Sequence, residues 1–185
     1  MISDNAIALS DELVMRLLQA DDAPMLFTQI DRNRLHLRQW LPWLDDATQL
    51  TDSEHFIGLT RNESQSGAAY TFAITLQQEL IGICSLDAIE QNKQSANIGY
   101  WLAEAHCGQG IMTRCVERLI TIAFRDIGLR QLHLNTAEGN GKSRAIAERL
   151  HFRQRYKILN AEDLYGEWID HIRYTLNTED WTTDR

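Results

Sequence analysis

The sequence predicts one α/β (α+β) domain spanning 1–185, folded around a single mixed sheet, and three observations predict it. The strongest helical period, 112–127, lies between two stretches that read as strands, 95–102 and 131–136, and such a unit closes best as a parallel crossover. Ahead of it, 70–77 and 80–89 are rich in Phe, Ile, Thr and Leu and are joined by Gln78 and Glu79, the pattern of an antiparallel hairpin. The 185 residues hold only two prolines, no Gly/Ser-rich linker and no internal repeat, so nothing marks a second domain.

Pro24 follows Asp21 and Asp22 and lacks only an N-H that a first helical turn leaves unpaired, so it opens a helix to about Arg32. A second helical stretch runs through Leu35 and Leu37 and ends in Trp40-Leu41-Pro42-Trp43, where Pro42 pushes the residue before it away from helical dihedrals. Thr51-Asp52-Ser53-Glu54 reads as the capping box of a third helix ending near Gln65. After the hairpin, the polar turn Gln91-Asn92-Lys93 leads into 95–102. In 112–127, Met112, Val116, Leu119, Ile120, Ala123, Phe124 and Ile127 share one helical face, and Gly128 stops the helix. Leu132 and Leu134 alternate in the next strand, a short helix covers 143–150, and 152–159 and 167–176 close the chain as strands.

With 18 Lys and Arg against 26 Asp and Glu, the net charge of -8 argues against direct nucleic-acid binding and suits a cationic partner. Cys84, Cys107 and Cys115 have no C-x-x-C spacing, so neither a disulfide framework nor a metal site is expected, and a reducing compartment fits them. No apolar run approaches the ~18 residues of a membrane span, and Met1-Ile-Ser-Asp-Asn5 lacks the basic start of a secretory signal. The expectation is a cytoplasmic, unprocessed chain without membrane association.

Between the third strand and the long helix lies Cys107-Gly108-Gln109-Gly110-Ile111-Met112-Thr113. Two glycines at this spacing let a backbone approach a ligand, and the first N-H groups of the helix point outward without partners. Helped by the helix dipole, such a loop can cradle a pyrophosphate without a lysine. A plain strand-to-helix turn is the other reading. A Walker loop is excluded because no Gly-Lys-Ser/Thr follows, and the third glycine of a Rossmann fingerprint is missing.

The order Ile98-Gly99-Tyr100-Trp101-Leu102, then Gly108-Gln109-Gly110-Ile111-Met112-Thr113, then Asn140-Gly-Lys-Ser143-Arg-Ala-Ile-Ala-Glu-Arg-Leu-His-Phe152 resembles the GNAT acetyltransferases. Within them it resembles the RimJ/RimL branch, which acetylates N-termini of ribosomal proteins, and the similarity runs from Asn33 to Tyr174. The resemblance implies a GNAT-like fold, a mostly antiparallel mixed sheet with a splayed strand pair flanked by helices. It implies acetyl-CoA as cosubstrate, direct attack of an amine on the thioester, a basic protein N-terminus as acceptor, and a homodimer. The cofactor residues it assigns are Tyr100, Trp101, Leu102, Cys107, Gly108, Gln109, Gly110, Ile111, Met112, Thr113, Asn140 and Ser143.

Two positions depart from the family pattern: Cys107 replaces the usual Gln or Arg, and Met112 the final small residue. Because backbone N-H groups do most of the phosphate binding, the site should survive this. Cys107 is expected to fill a loop position rather than act as a nucleophile, and Cys84 and Cys115 read as buried residues. In the family the strand matching 98–102 bulges and splays, so a bulge is expected at Gly99, a plain strand glycine being the alternative.

Acetyl transfer needs a neutral amine, a donor near the carbonyl oxygen and a proton for the departing thiolate. The tyrosine that many GNAT enzymes place seven residues after the position of Asn140 is Ala147 here, and the resemblance assigns the leaving sulfur to Ser143, whose other reading is a helix-start serine. Glu90 is the candidate base, against a solvated turn glutamate; Tyr70, Asp87 and His133 are weaker candidates. Trp40, Trp43, Tyr165 and Trp168 are candidates for the amine-binding wall or for core, and Asp45, Asp46, Glu162 and Asp163 for attracting a basic peptide or for a solvated face. The competing functions are acetylation of a small amine (polyamine, amino acid or antibiotic) and a non-catalytic acyl-CoA sensor, suggested by Ala147 and Cys107.

Overall fold

Eight strands form one mixed sheet in the computed structural model, which describes residues 6–181; the Met1 to Asn5 start lies outside them. The strands are β1 (Ile7–Ala8), β2 (Leu13–Leu17), β3 (Tyr70–Leu76), β4 (Glu79–Glu90), β5 (Ser95–Leu102), β6 (Gln131–Ala137), β7 (Arg153–Leu164) and β8 (Glu167–Asn177). Their order across the sheet is β1-β2-β3-β4-β5-β6-β8-β7, and every neighbouring pair is antiparallel except β5 and β6. The helices are α1 (Ala23–Arg32), α2 (Arg34–Leu37), α3 (Leu50–Ser66), α4 (Ile111–Thr121) and α5 (Gly141–Arg149). The crossover expected from the long helical period is α4, which widens into a π-helical segment over Ile122–Ile127.

Side chains alternate along each strand, so both faces of the sheet must be covered. On one face, Met15, Phe72, Ile74, Cys84, Leu86 and Ile98 meet the apolar stripe of α4, with Cys115, Val116, Leu119 and Ile120 fully buried. On the other, Ala73, Ile83 and Trp101 pack against Leu26 and Ile30 of α1 and Ile57 of α3. At roughly 1.5–3 kcal/mol for each large apolar side chain buried, the two layers hold β5 rigidly at the centre.

Several local expectations shift. β1 and β2 escape the sequence reading, since five residues with period two carry little signal until they pair with β3. The hairpin turns one residue earlier, at Gln77 and Gln78, whose φ values of 51° and 70° make a primed turn without the usual Asn-Gly. α3 begins ahead of Thr51: Asp52 Oδ2 accepts from the N-H groups of Thr48 and Gln49, both at 2.8 Å, and Thr51 lies inside the first turn rather than capping it.

The bulge is not at Gly99. Residues 98–102 of β5 pair one to one with β4, and the register breaks in β4 between Asp87 and Glu90, where Ala88 takes φ 48°. There Ile89 N-H donates to Ala68 O at 2.9 Å, so the junction of α3 with β3 draws β4 out of its ladder. The splay is present: β5 pairs with β6 only at Ser95, Ala96 and Asn97, against Gln131, Leu132 and His133.

Arg16 on β2 grips Asp22, ahead of α1, through two hydrogen bonds of 2.6 Å. Burial would raise the Asp22 carboxyl, but the Arg16 fork and the Gln19 N-H outweigh it and hold the group below the usual carboxylate range. Because the folded pKa is depressed, this stabilisation is present above the unfolded value of about 3.9 and is lost as pH falls through the folded one. Asp22→Ala is expected to cost about 3 kcal/mol, the low end for a broken buried pair because Arg16 keeps some solvent contact, read as a lower urea midpoint at pH 7. The deficit should narrow below pH 4.

Candidate active site

Past Asn97 and His133 the strands part, leaving 98–102 of β5 without a β6 partner and its backbone groups on that side open. The fork opens on a cleft of about 580 Å³ between the first turns of α4 and α5, with the α2 end at its mouth. Tyr100, Leu102, Cys107, Gly108, Gly110, Asn140 and Ser143 line it, so the structure brings together the three motifs of the resemblance.

Gly110 precedes α4 with φ 75°, and a Cβ there would meet nothing within 4 Å. Glycine is favoured there by the backbone conformation, not by a protein neighbour. The N-H groups of Ile111, Met112 and Thr113 have no intrahelical acceptor. Their side chains diverge: Ile111 and Met112 enter the core under α4, while Thr113 Oγ1 accepts from Arg149 at 2.9 Å. Gln109 braces the loop by donating to Ala105 O at 2.9 Å. Trp101 borders the cleft while packing in the α1 and α3 core.

The sequence reading missed three cations. Arg114, Lys142 and Arg149 line the cleft from α4 and α5, and only folding gathers them. Unpaired N-H groups, three cations and the apolar walls of Leu37, Leu41, Ile111 and Ile146 fit a long cofactor with phosphates at one end. Among the described residues no group of His, Cys, Asp or Glu is arranged to hold a metal ion, and no helix is long and apolar enough to cross a membrane.

Ser143 is not the cap of its helix. Asn140 Oδ1 takes that role, accepting from Ser143 N-H at 3.1 Å, which leaves the Ser143 hydroxyl to share a hydrogen bond of 2.9 Å with Tyr100 OH. Burial pushes Tyr100 up to about 12, so the phenol stays protonated at neutral pH. The position of the family's tyrosine, Ala147, is fully buried, and Tyr100 delivers a phenol to this helix from β5 instead.

Cys107 Sγ lies 3.7 Å from His36 Nε2 and within 3.9 Å of the Leu102 and Ala103 carbonyls. Burial raises its thiol despite the nearby Lys142 charge, so it is a poor nucleophile. Cys107→Ser is expected to keep turnover within about tenfold of wild type, and a loss beyond about 100-fold or an acetylated Cys107 in the mass spectrum would point to a covalent intermediate.

The structure does not bring Glu90 to the cleft. It faces Ser95 at the closed end of the fork, where β5 and β6 are still paired, and binds Lys93 at 2.6 Å. Tyr70 is buried on β3, opposite Leu86; Asp87 and His133 stand where the fork opens. Of the proposed wall, Trp40 lines the cleft, and Tyr165 OH donates to Leu41 O at 2.6 Å with the Arg38 guanidinium 3.6 Å above its ring. Trp43 lines a separate apolar groove and Trp168 is exposed. Asp45 pairs with Arg38 at 2.8 Å, Asp163 accepts from Gly166 N-H, and Glu162 lies 3.3 Å from His171 Nε2, which leaves Asp46 on the rim of the Trp43 groove.

Residues 12–153 match the family model described as an acetyltransferase (GNAT) domain. The ribosomal-protein-serine acetyltransferase of Escherichia coli (strain K12) is 30% identical over 164 residues, covering 89% of this chain and 92% of that protein. RimL, a ribosomal L7/L12 alpha-N-protein acetyltransferase solved in complex with coenzyme A, aligns with a TM-score of 0.91 at 30% identity, over 95% of this chain and 99% of that one. The microcin C7 self-immunity acetyltransferase MccE, solved with acetyl-CoA and AMP, aligns with a TM-score of 0.89 at 26% identity, over 95% and 97%. Since the family model spans well over half of the sequence and a relative 30% identical covers 89% of it, this chain belongs to the GNAT acetyltransferases.

Proposed function

We propose that this enzyme acetylates the N-terminal α-amine of a ribosomal protein in the cytoplasm. The observation that carries the reading is the fork of β5 and β6 opening onto the Tyr100 and Ser143 hydroxyls, in a chain whose relatives are named for ribosomal-protein acetylation. Acetyl-CoA supplies an activated thioester. The N-H groups that follow Gly110, with Arg114, Lys142 and Arg149, bind its phosphates; the open backbone of 98–102 orients the pantetheine arm. Ser143, backed by Tyr100, hydrogen-bonds the departing sulfur.

An α-amine also suits the energetics. At pH 7, deprotonation costs roughly 1.4 kcal/mol for an α-amine against roughly 4.6 kcal/mol for a lysine, so a site with modest base strength is enough. The net charge of -8 favours a basic acceptor. A homodimer belongs to the same reading, with the groove of Trp43, Phe56 and Leu59 as apolar area available for pairing, and light scattering measures it.

The test is a panel of ribosomal-protein N-terminal peptides against polyamines, amino acids and aminoglycosides, scored by product mass and CoA release. Acetylation of a peptide α-amine is the expected outcome. Turnover confined to small amines overturns the acceptor class, and absence of turnover with every amine supports a sensor instead.

A further inference from the structure

The sheet face covered by α1 and α3 carries a polar row that does not line the cofactor cleft. Asp87 on β4, Asn97 on β5, His133 on β6 and Thr175 on β8 stand opposite one another in consecutive ladders, and directly opposite residues share a face. The row passes through Asn97 and His133, the last β5-β6 pair, so it lies where the fork opens. The apolar cover from α1 and α3 reaches Ala73, Ile83 and Trp101, while Asp87, Asn97, Gly99 and His133 stay half-buried. Gly99, two residues beyond Asn97 on the same face, carries no side chain and leaves a gap beside the fork through which an amine can approach.

Asp87 reaches into that gap. Ser85 Oγ donates to its Oδ2 at 2.7 Å, and a Cβ on Gly99 would stand 2.8 Å from the same oxygen and 3.0 Å from Ser85 Oγ. The carboxylate thus uses space that any larger residue at 99 would take. Among the described residues no Lys, Arg or His forms an ion pair with Asp87, and the charge that bears on it from α3 is Glu63, also negative. Burial pushes its carboxyl up, the Ser85 bond opposes the rise, and Glu63 adds to it. A sheltered carboxylate without a cation is costly, and the cation an N-acetyltransferase must bind is its acceptor, an ammonium at neutral pH.

We propose that Asp87 is the acceptor-binding base, whose carboxylate holds the ammonium of the incoming amine and takes a proton from it. The assignment rests on the N-acetyltransferase reading and names the acceptor side of that site. R-NH3+ gives one proton to Asp87, and the nitrogen lone pair forms a bond to the thioester carbonyl carbon. Collapse of the adduct breaks the C-S bond, whose electron pair leaves on sulfur, and the second nitrogen proton reaches that sulfur through Ser143. Asp87 then returns its proton to solvent, leaving an amide, CoA-SH and H+. His133 fits the role less well. Burial and the charges of Arg173 and Arg155 lower it to about 4, only partly offset by Glu90; those guanidiniums repel a cation, and its Nδ1 is 3.1 Å from Thr175 Oγ1.

The test is Asp87→Asn in the full chain, with thermal midpoint and acetyl-CoA affinity measured beside kinetics on whichever amine the wild type uses. At pH 7, kcat/KM for the amine should fall by about 10²–10³-fold with acetyl-CoA affinity unchanged. The deficit should shrink towards pH 9, where a free α-amine with pKa near 8 predominates and needs no base. Full activity, or the same deficit at every pH, overturns the proposal. Ser85→Ala tests it independently: losing the bond that holds the carboxyl down should move the acidic limb of kcat/KM up by about one pH unit, and an unmoved limb overturns it. If the wild type turns over small primary amines and no peptide, the ribosomal acceptor fails while Asp87 is tested on that amine, whose deficit should then shrink only near its own pKa, about 10.4 for an alkyl amine.

Discussion

Gly110→Asp should abolish acetyl-CoA binding, with an affinity loss beyond 100-fold on an otherwise folded protein. Gly110 sits at φ 75° with open space around its missing Cβ, so the protein itself can accommodate a side chain. The backbone strain of a non-glycine residue there is only about 1–2 kcal/mol, and aspartate tolerates this region better than most. The larger effect is electrostatic: a carboxylate placed among the N-H groups of Ile111, Met112 and Thr113 occupies the anion's position and repels it. Calorimetry measures the affinity, and circular dichroism confirms the fold. An unchanged affinity in the folded variant would remove the cradle from the cofactor site.

Ser143→Ala should lower kcat by about 10²-fold while acetyl-CoA affinity hardly changes, the pattern of a group that acts on the transition state. The serine has no capping duty to lose, since Asn140 Oδ1 accepts the Ser143 N-H, and a backbone N-H survives the substitution. What disappears is the hydroxyl shared with Tyr100 and, on the proposed reading, the proton path to the thiolate. Tyr100 titrates only at about 12, so the deficit should be flat from pH 6 to 9, unlike that of Asp87→Asn. A thiolate with pKa near 8.5 already leaves fairly well, so complete inactivation would indicate a lost cofactor site. Undiminished kcat across this range would transfer leaving-group assistance to water or to Tyr100 alone.

The two candidate bases show where sequence reading stops. Glu90 and Asp87 are three residues apart on one strand, and either can be placed near a fork as long as the fork's position is unknown. That position is set by where β5 leaves β6, after Asn97, and the β4 bulge between Asp87 and Glu90 decides how each carboxylate stands to it. The resemblance implies a bulge at Gly99; the structure has it at Ala88, beside the hydrogen bond from Ile89 N-H to Ala68 O. Likewise Tyr100 was legible as a cofactor residue, but its hydroxyl became the partner of Ser143 through a contact across 43 positions of chain.

By itself the sequence determined what depends on neighbours along the chain: the hairpin, the α4 period ended by Gly128, the Gly108 and Gly110 loop, and motif order sufficient for the family. These are local because dihedral preferences and apolar spacing act over a few residues. Tertiary structure alone decided the pairing of β1 and β2, the gathering of Arg114, Lys142 and Arg149, the placing of Glu90 at the closed end of the fork and the setting of Asp87. Each depends on register across strands or on distances between distant segments, and a one-residue change of register moves a side chain to the other face of the sheet.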